Sequence, residues 1–535
     1  MNWVQILCLC LLLRNAASRP PNIVFILVDD LGWRDVSYHG SDQIPTPNID
    51  VLAMDGVVLG HNYVQPLGTA SRAALLTGFY PVHTGMQHLS IGDTEPRGLG
   101  MEFKLLPQFL KDLGYSTHMI GKWHLGFFRD EQKPLRRGFD TFYGIFNGAA
   151  DFWTHFSRDP TMDLSGHALR SNEVPLLNET GRYLTSLFAR QAERIIHSRP
   201  RTKPFFLYLA PTAVHCAGSN GTIQAPYEYL SSFSYLKDYD RQMLAGSLAE
   251  LDKLVGKVVQ ALYDSGHLNT TIIAFSTDNG GAALGFSNNV SPNWPLRGSK
   301  GTVAEGGTRG PAFLWTPWLA SRGRVAKQLF HITDWLPTLH RAAGGEVRDL
   351  PMFDGVEQWD SLTRGSPPPR KEILYNIDPV WDQYAIRGER FKVIEDRNNT
   401  LFNYYDWYEP RGAPQQDRGA LNEQKKSCIT AQVLSCFHGK TLETPREIPD
   451  AVLAEVMATA PVGGYCHPKF ATCMYDLNDD PWERYNLYRP DHPEYMRLRA
   501  RIEEFKQTMK PVTYTGSDPR ADPMVHGGVW NAWHD

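Results

Sequence analysis

The chain has 535 residues, 42% of them hydrophobic and 21% charged, with a formal net charge of -4. That is an ordinary globular composition, long enough for a large core and a second, smaller domain. It argues against a strongly basic nucleic-acid surface, an acidic tail and a low-complexity chain, although a local patch can hide in a balanced total.

Taken in chain order, the first feature is the apolar run Trp3 to Leu13, of signal-peptide length and too short to span a membrane. Ala16, Ala17 and Ser18 supply small residues for cleavage, so residues 1–18 read as a signal peptide despite the missing positive charge before the run. No later segment has the ~20 apolar residues of a membrane helix. The expectation is a protein of the secretory pathway, extracellular or lysosomal.

Ile23 to Val28 reads as a buried strand, and Asp29 and Asp30 follow it directly. A short helix is expected over Ser71 to Leu76, with Gly68 just before it. Leu105 to Leu113 is amphipathic. The strand candidate Ser116 to Ile120 precedes Lys122 and His124. The helical stretch Tyr183 to His197 leads to the strand Phe205 to Leu209, and His215 comes a short loop later. A longer helix over Arg241 to Tyr263 precedes the strand Thr271 to Ser276, which ends at Asp278 and Asn279. A break falls at the proline-rich Gly365 to Arg370. Beyond it Ile373 to Asn376, Ala385 to Arg387, Phe391 to Ile394 and Met474 to Leu477 suggest a small antiparallel sheet, closed by a helix over Glu494 to Met509. Arg411 to Gly464 suggests no regular element.

Strands alternating with helices predict an α/β fold: a large mixed, mostly parallel sheet with helices on both faces. A smaller C-terminal α+β domain with an antiparallel sheet completes it. The domains expected are 19–370 and 371–535. In open α/β sheets ligands bind outside the carboxyl ends of the strands. Four strands therefore bring Asp29, Asp30, Lys122, His124, His215, Asp278 and Asn279 to one rim. Singly, each acidic pair suits a turn or a helix cap. Together, three carboxylates and an amide suit a hard divalent cation, calcium or magnesium. His39, His61, His155 and His267 carry no assigned role.

Glycosylation triplets occur at Asn178, Asn220, Asn269, Asn289 and Asn398, with Pro292 disfavouring the fourth. Without Cys8 and Cys10, which fall in the signal segment, five cysteines remain. Cys428, Cys436, Cys466 and Cys473 are expected to form two disulfides in one of three connectivities. Cys216 is left over and, as a small buried hydrophobe, needs no further role.

The segment from Gln65 to Gly78, QPLGTASRAALLTG, resembles the signature of the type I sulfatases, within the alkaline phosphatase-like superfamily. The resemblance extends in order through 21–32, 114–126, 276–281, 297–311, 331–338 and 477–487, nearly the whole chain. The text around Gln65 to Leu67 and Ala210 to His215 looks most like the arylsulfatase B, N-acetylgalactosamine-4-sulfatase-like subgroup. The resemblance implies Ca2+ held by Asp29, Asp30, Asp278 and Asn279. It implies that Lys122, His124, His215 and Lys300 hold sulfate oxygens and handle protons, with Arg72 beside the reactive group and the metal. The partner implied is a sulfated glycan or another sulfate ester. Fixed cations aimed at the charge a sulfate ester develops, and a histidine to protonate the leaving alkoxide, are sensible on chemical grounds alone.

One position departs from the family. Gly68 stands where the signature has the cysteine that is oxidised to formylglycine, the nucleophile. Hydrolysis is therefore expected to be impaired while cation and sulfate-ester binding persist. Thr69 offers a nearby hydroxyl, but one residue on along a helix points about 100° away. The alternatives are an active calcium-dependent sulfatase and a phosphatase or phosphodiesterase of the same superfamily. Lys122 and Lys300 suit a single-metal sulfate site better than the Asp- and His-rich second metal cluster common in the latter.

Overall fold

The computed structural model describes residues 19–217, 222–412, 418–440 and 465–534. The expected signal peptide and Asn220 lie outside them. In chain order the first eight strands are β1 (Asn22–Val28), β2 (Val57–Tyr63), β3 (Ser116–Lys122), β4 (Thr141–Ile145), β5 (Phe156–Asp159), β6 (Leu164–His167), β7 (Arg170–Ser171) and β8 (Val174–Pro175). Then come β9 (Phe205–Ala210), β10 (Thr271–Thr277), β11 (Ala312–Trp315), β12 (Arg324–His331), β13 (Ile373–Asp378), β14 (Gln383–Arg387), β15 (Phe391–Asp396) and β16 (Cys473–Asp476).

Ten of these form one sheet in the order β12-β2-β11-β10-β1-β9-β3-β4-β7-β8. Its central block, β10-β1-β9-β3-β4, is wholly parallel. A parallel strand covered on both faces should be apolar along its length, and every residue of β1 is buried. Successive side chains point to opposite faces. Val24, Ile26 and Val28 accordingly enter one core, with the helices Leu184–Ser198 and Tyr239–Asp264. Ile23, Phe25 and Leu27 enter the other, with the helices Gly68–Thr77, Leu106–Asp112 and Trp335–Ala342. Asp238 caps the long helix, accepting from Arg241 N at 2.8 Å.

The second sheet, β13-β14-β15-β16, is antiparallel throughout. The helix Pro493–Thr508 lays Leu498 and Ile502 on it. Lys392 of β15 ties this sheet to the short helix Glu305–Thr308 between β10 and β11, lying 2.9 Å from Glu305, and to Glu483 beyond β16 at 2.8 Å, all three buried. From 518 the chain returns to the larger unit, Asp518 N donating to Thr94 O at 2.8 Å. Val529 bridges to His167, and Trp530 enters the same core as Phe127.

The structure corrects three local expectations. The helix expected over Ser71 to Leu76 begins at Gly68, so Gly68 is its first residue and Leu67 its N-cap. The stretch Arg411 to Gly464 contains two helices among its described residues, Arg418–Ser427 and Ile429–His438. They lean on the first unit rather than on the antiparallel sheet: Thr430 N donates to Asn48 Oδ1 at 3.0 Å and Lys425 pairs with Asp50 at 3.1 Å. Of the two expected disulfides, Cys466–Cys473 forms and the other does not. Cys428 caps the helix whose eighth residue is Cys436. Eight residues of helix are about 12 Å, beyond the ~7 Å that a disulfide spans.

Candidate functional site

Four adjacent strands, β10-β1-β9-β3, deliver the rim residues from their carboxyl ends. Asp29 and Asp30 leave β1, Lys122 ends β3, His215 follows β9, and Asp278 and Asn279 follow β10. Asp29, Asp30, Asp278 and Asn279 are all at most 1% exposed. The loop after β9 is stitched to β1 by Asp29 N donating to Ala213 O and Val214 N donating to Asp29 O, at 3.2 and 2.9 Å. Asp30 and His124 hold left-handed backbones, with φ of 60° and 57°. Such backbones are uncommon outside glycine and concentrate where function fixes a side chain.

The acidic group is interlocked. Asp30 N donates to Asp278 Oδ1 at 3.2 Å, and Asn279 Nδ2 donates to Asp30 Oδ1 at 2.7 Å. Asn279 Oδ1 is buried and accepts from no group among the described residues. An unsatisfied buried acceptor among three carboxylates is the donor set of a hard cation. Asp29, Asp30 and His215 also bring one ligand atom each within 4.8 Å of one another. The residues present fit a divalent cation.

Four cationic side chains surround this group. Lys122 Nζ lies 2.9 and 2.8 Å from the two Asp29 oxygens. Lys300 Nζ lies 2.7 Å from Asp30 Oδ2, and His215 Nε2 lies 3.6 Å from the same oxygen. Arg72 donates to Asp278 Oδ2 at 2.8 Å and to the Lys122 carbonyl at 3.0 Å. Burial pulls Lys122 below its usual range in spite of Asp29. Burial also opposes charge on Lys300, but Asp30 and Asp29 outweigh it and hold the ammonium above its range.

The two histidines are driven apart. Burial, with Lys122 and Arg72 nearby, holds His124 neutral, well below the usual imidazole range. Its Nε2 donates to Ile91 O at 3.1 Å, and its buried Nδ1 has no partner among the described residues. Burial also disfavours charge on His215, but Cys216 and then Asp30 prevail and raise it to about 9. One neutral and one charged imidazole in one site is the pattern of a base and an acid.

Gly68 opens the helix Gly68–Thr77, whose first N–H groups have no intrahelical acceptor and favour an anion. A Cβ added at Gly68 would lie 2.5 Å from Asp278 Oδ2 and 3.6 Å from Asn279 Oδ1. The position thus aims into the acidic group. Thr69 does not: its hydroxyl donates to His124 O and accepts from Ile91 N, each at 3.3 Å.

Gly68, Lys122, His124, His215 and Lys300 line the floor of a cleft of about 310 Å³; Arg72 lies behind it. Phe286, Leu401 and Tyr514 form part of its rim. Sequence reasoning missed these three, because each sits in a loop with no periodicity or motif. Of the expected glycan acceptors, Asn178, Asn269 and Asn398 are exposed. Asn289 departs from expectation. It is fully buried, and its amide donates to Asp30 O at 3.1 Å and Val214 O at 2.9 Å, so it braces the site instead of facing solvent.

A protein-family model described as "Sulfatase" matches residues 21–345. Arylsulfatase J of Mus musculus is 36% identical over 539 residues, covering 97% of this chain and 81% of the relative. N-acetylgalactosamine-6-sulfatase of Homo sapiens is 32% identical over 378 residues, covering 68% and 70%. Arylsulfatase A of Homo sapiens is 33% identical over 396 residues, covering 71% and 75%. Among solved structures, Ps i-CgsB superposes with a TM-score of 0.71 at 23% identity, over 95% of this chain and 98% of the other. Its complex with k-i-k-neocarrahexaose gives 0.69 at 24% identity, over 93% and 95%. At this identity the likeness is one of fold.

Proposed function

Since the chain belongs to the sulfatase family, we propose that it binds a divalent cation and sulfate esters in this cleft but hydrolyses them poorly. One observation carries the reading. The position aimed at Asp278 and Asn279 has no side chain, while the charged groups around it are in place.

Asp29, Asp30, Asp278 and Asn279 would hold calcium, the hard ion their oxygens suit. When bound, it would neutralise the acidic group and polarise a sulfate oxygen. Lys122 and Lys300 would hold the remaining sulfate oxygens against the floor, beside the start of the helix Gly68–Thr77. His215, charged at neutral pH, would give its proton to the bridging oxygen as the ester bond breaks. His124, neutral, would accept a proton from an attacking group at position 68. Gly68 offers no such group, and deleting a hydrolase nucleophile lowers turnover on the order of 10⁴–10⁶-fold.

The glycan class is proposed from the relatives' names and from the oligosaccharide in one structural neighbour. A secretory route is supported by the Cys466–Cys473 disulfide and by the apolar run before residue 14. Among the described residues no helix is long and apolar enough to cross a membrane.

The test is hydrolysis of an aryl sulfate by the wild-type protein and by Gly68→Cys, each co-expressed with a formylglycine-generating enzyme. Silence from the wild type and turnover by Gly68→Cys is the expected result. Robust turnover by protein carrying unmodified Gly68 would overturn the reading.

A further inference from the structure

The floor and the rim of the cleft differ in charge. On the floor Lys122, Lys300, His124 and His215 surround the place for one sulfate. The rim offers carboxylates instead. Asp93, Glu95 and Asp159 line it, and Arg158 adds the rim's one lining guanidinium among the described residues. That guanidinium is already engaged, with Nε 2.8 Å from Asp163 Oδ1. Glu95 is matched by Arg97 at 2.7 Å. Asp159 accepts from the Thr94 hydroxyl and from three backbone N–H groups, at 2.9–3.2 Å, and has no cationic partner among the described residues. Asp93 accepts from Ser157 Oγ at 2.5 Å and likewise has no cationic partner among the described residues.

Three large apolar side chains stand on the same rim and are conspicuously open to water. Phe286 is 47% exposed, Leu401 40% and Tyr514 55%. They come from three distant parts of the chain, so their convergence is a property of the fold. An exposed apolar cluster at the mouth of a polar pocket marks a ligand surface. Aromatic rings there suit the apolar face of a sugar or another ring.

Building on the sulfate-ester reading of the floor, we propose that the cleft selects a single sulfate on an otherwise uncharged unit with an apolar face. Such a unit is a monosulfated sugar residue or an aryl sulfate. Densely sulfated chains are disfavoured, because a second sulfate near the first meets Asp93 and Asp159 rather than a free cation. Like charges placed together are an effective way to reject a partner.

Slow turnover lets binding be measured directly on the wild-type protein, at one fixed salt concentration. The probes are inorganic sulfate, 4-nitrophenyl sulfate, N-acetylgalactosamine 4-sulfate and a disulfated heparin disaccharide. Both monosulfates are expected to bind at least ten-fold more tightly than the disulfated sugar. Asp93→Asn should narrow that gap, and Phe286→Ala or Tyr514→Ala should weaken both monosulfates about five-fold. Whether the aryl or the sugar monosulfate binds more tightly tells which source fits the rim. Equal or tighter binding of the disulfated sugar overturns the proposal while leaving the floor's sulfate reading intact. If not even inorganic sulfate binds, the reading of the floor fails, and the proposal with it.

Discussion

Arg72 and Asp278 face one another with neither side chain reaching water, Nη2 standing 2.8 Å from the carboxylate oxygen. Burial alone would pull the guanidinium below its usual range; Asp278 reverses this and holds it above that range. The same side chain donates to the Lys122 carbonyl, so one helical residue ties the ends of β10 and β3 together. Arg72→Met keeps much of the length and leaves Asp278 buried without its partner. Breaking a buried pair costs about 3–5 kcal/mol. Urea unfolding in the absence of calcium should show a loss of that order. A loss below about 1 kcal/mol would mean that Asp278 finds another cation, Lys122 or Lys300.

Calcium should stabilise the wild-type protein by about 2.7 kcal/mol at a hundred times its dissociation constant. Asn279→Leu removes the unsatisfied amide oxygen and should abolish most of that gain, read as the shift in thermal midpoint between chelator and calcium. A full gain in Asn279→Leu would exclude the amide as a ligand.

His215 couples that binding to pH. Its ring carries a proton up to about 9 and lies 3.6 Å from Asp30, so a cation arriving on the carboxylates opposes the ring's charge. Binding therefore weakens the ring's hold on its proton while leaving it charged at neutral pH; a fraction of a proton is released above that, and affinity should strengthen as pH rises from 7 towards 9. Calorimetry in two buffers of different ionisation enthalpy measures the release directly. His215→Gln should flatten the pH dependence; a steep dependence in that variant would assign the proton elsewhere.

His39 makes the fold acid-sensitive in a separate place. It stacks on Trp33 at 3.8 Å and is 4% exposed, and burial lowers it to about 3. The unfolded chain then binds more protons than the folded one between pH 6.5 and 3, so stability falls as pH falls through that window. Between pH 8 and pH 5 the loss from this one group is about 2 kcal/mol. His39→Phe keeps the stack and should flatten the slope by that amount in denaturant titrations at the two pH values. An unchanged slope would mean that other buried histidines, such as His118, dominate.

Thr69→Ala should leave any residual aryl-sulfate hydrolysis unaltered, because the hydroxyl is occupied by the Ile91 amide and the His124 carbonyl. Its loss should cost about 1–2 kcal/mol, the value of a buried hydrogen bond left half-made. A drop in hydrolysis beyond the fall in folded protein would revive the hydroxyl as a nucleophile.

The legible part of this protein was the part where residue type and position are dictated together. β1 had to be apolar because both its faces are covered, and the polar residues after β1, β3, β9 and β10 had to collect where those strands end. Other features depend on contacts that no local pattern records. Asn289 reads as a surface triplet, yet its amide is drawn inward by carbonyls from two distant loops. Cys428 and Cys436 look like half of a bonded set until the helix between them separates them. The start of the helix at Gly68 has no side-chain cap to announce it. Phe286, Leu401 and Tyr514 acquire meaning only because three loops converge.

Trp530 also has a consequence in time. It fills the core against Phe127 and bonds through its indole to the Ser157 carbonyl at 3.1 Å, although it is translated after every strand of the large sheet. During synthesis that sheet must wait, incompletely sealed, for a residue about two hundred positions beyond its last strand, which ends at His331. Apolar surface left open on a nascent chain invites aggregation and chaperone capture. The yield of this protein should therefore depend on how quickly the segment beyond residue 518 is made and docked, a vulnerability that the stability of the finished molecule conceals.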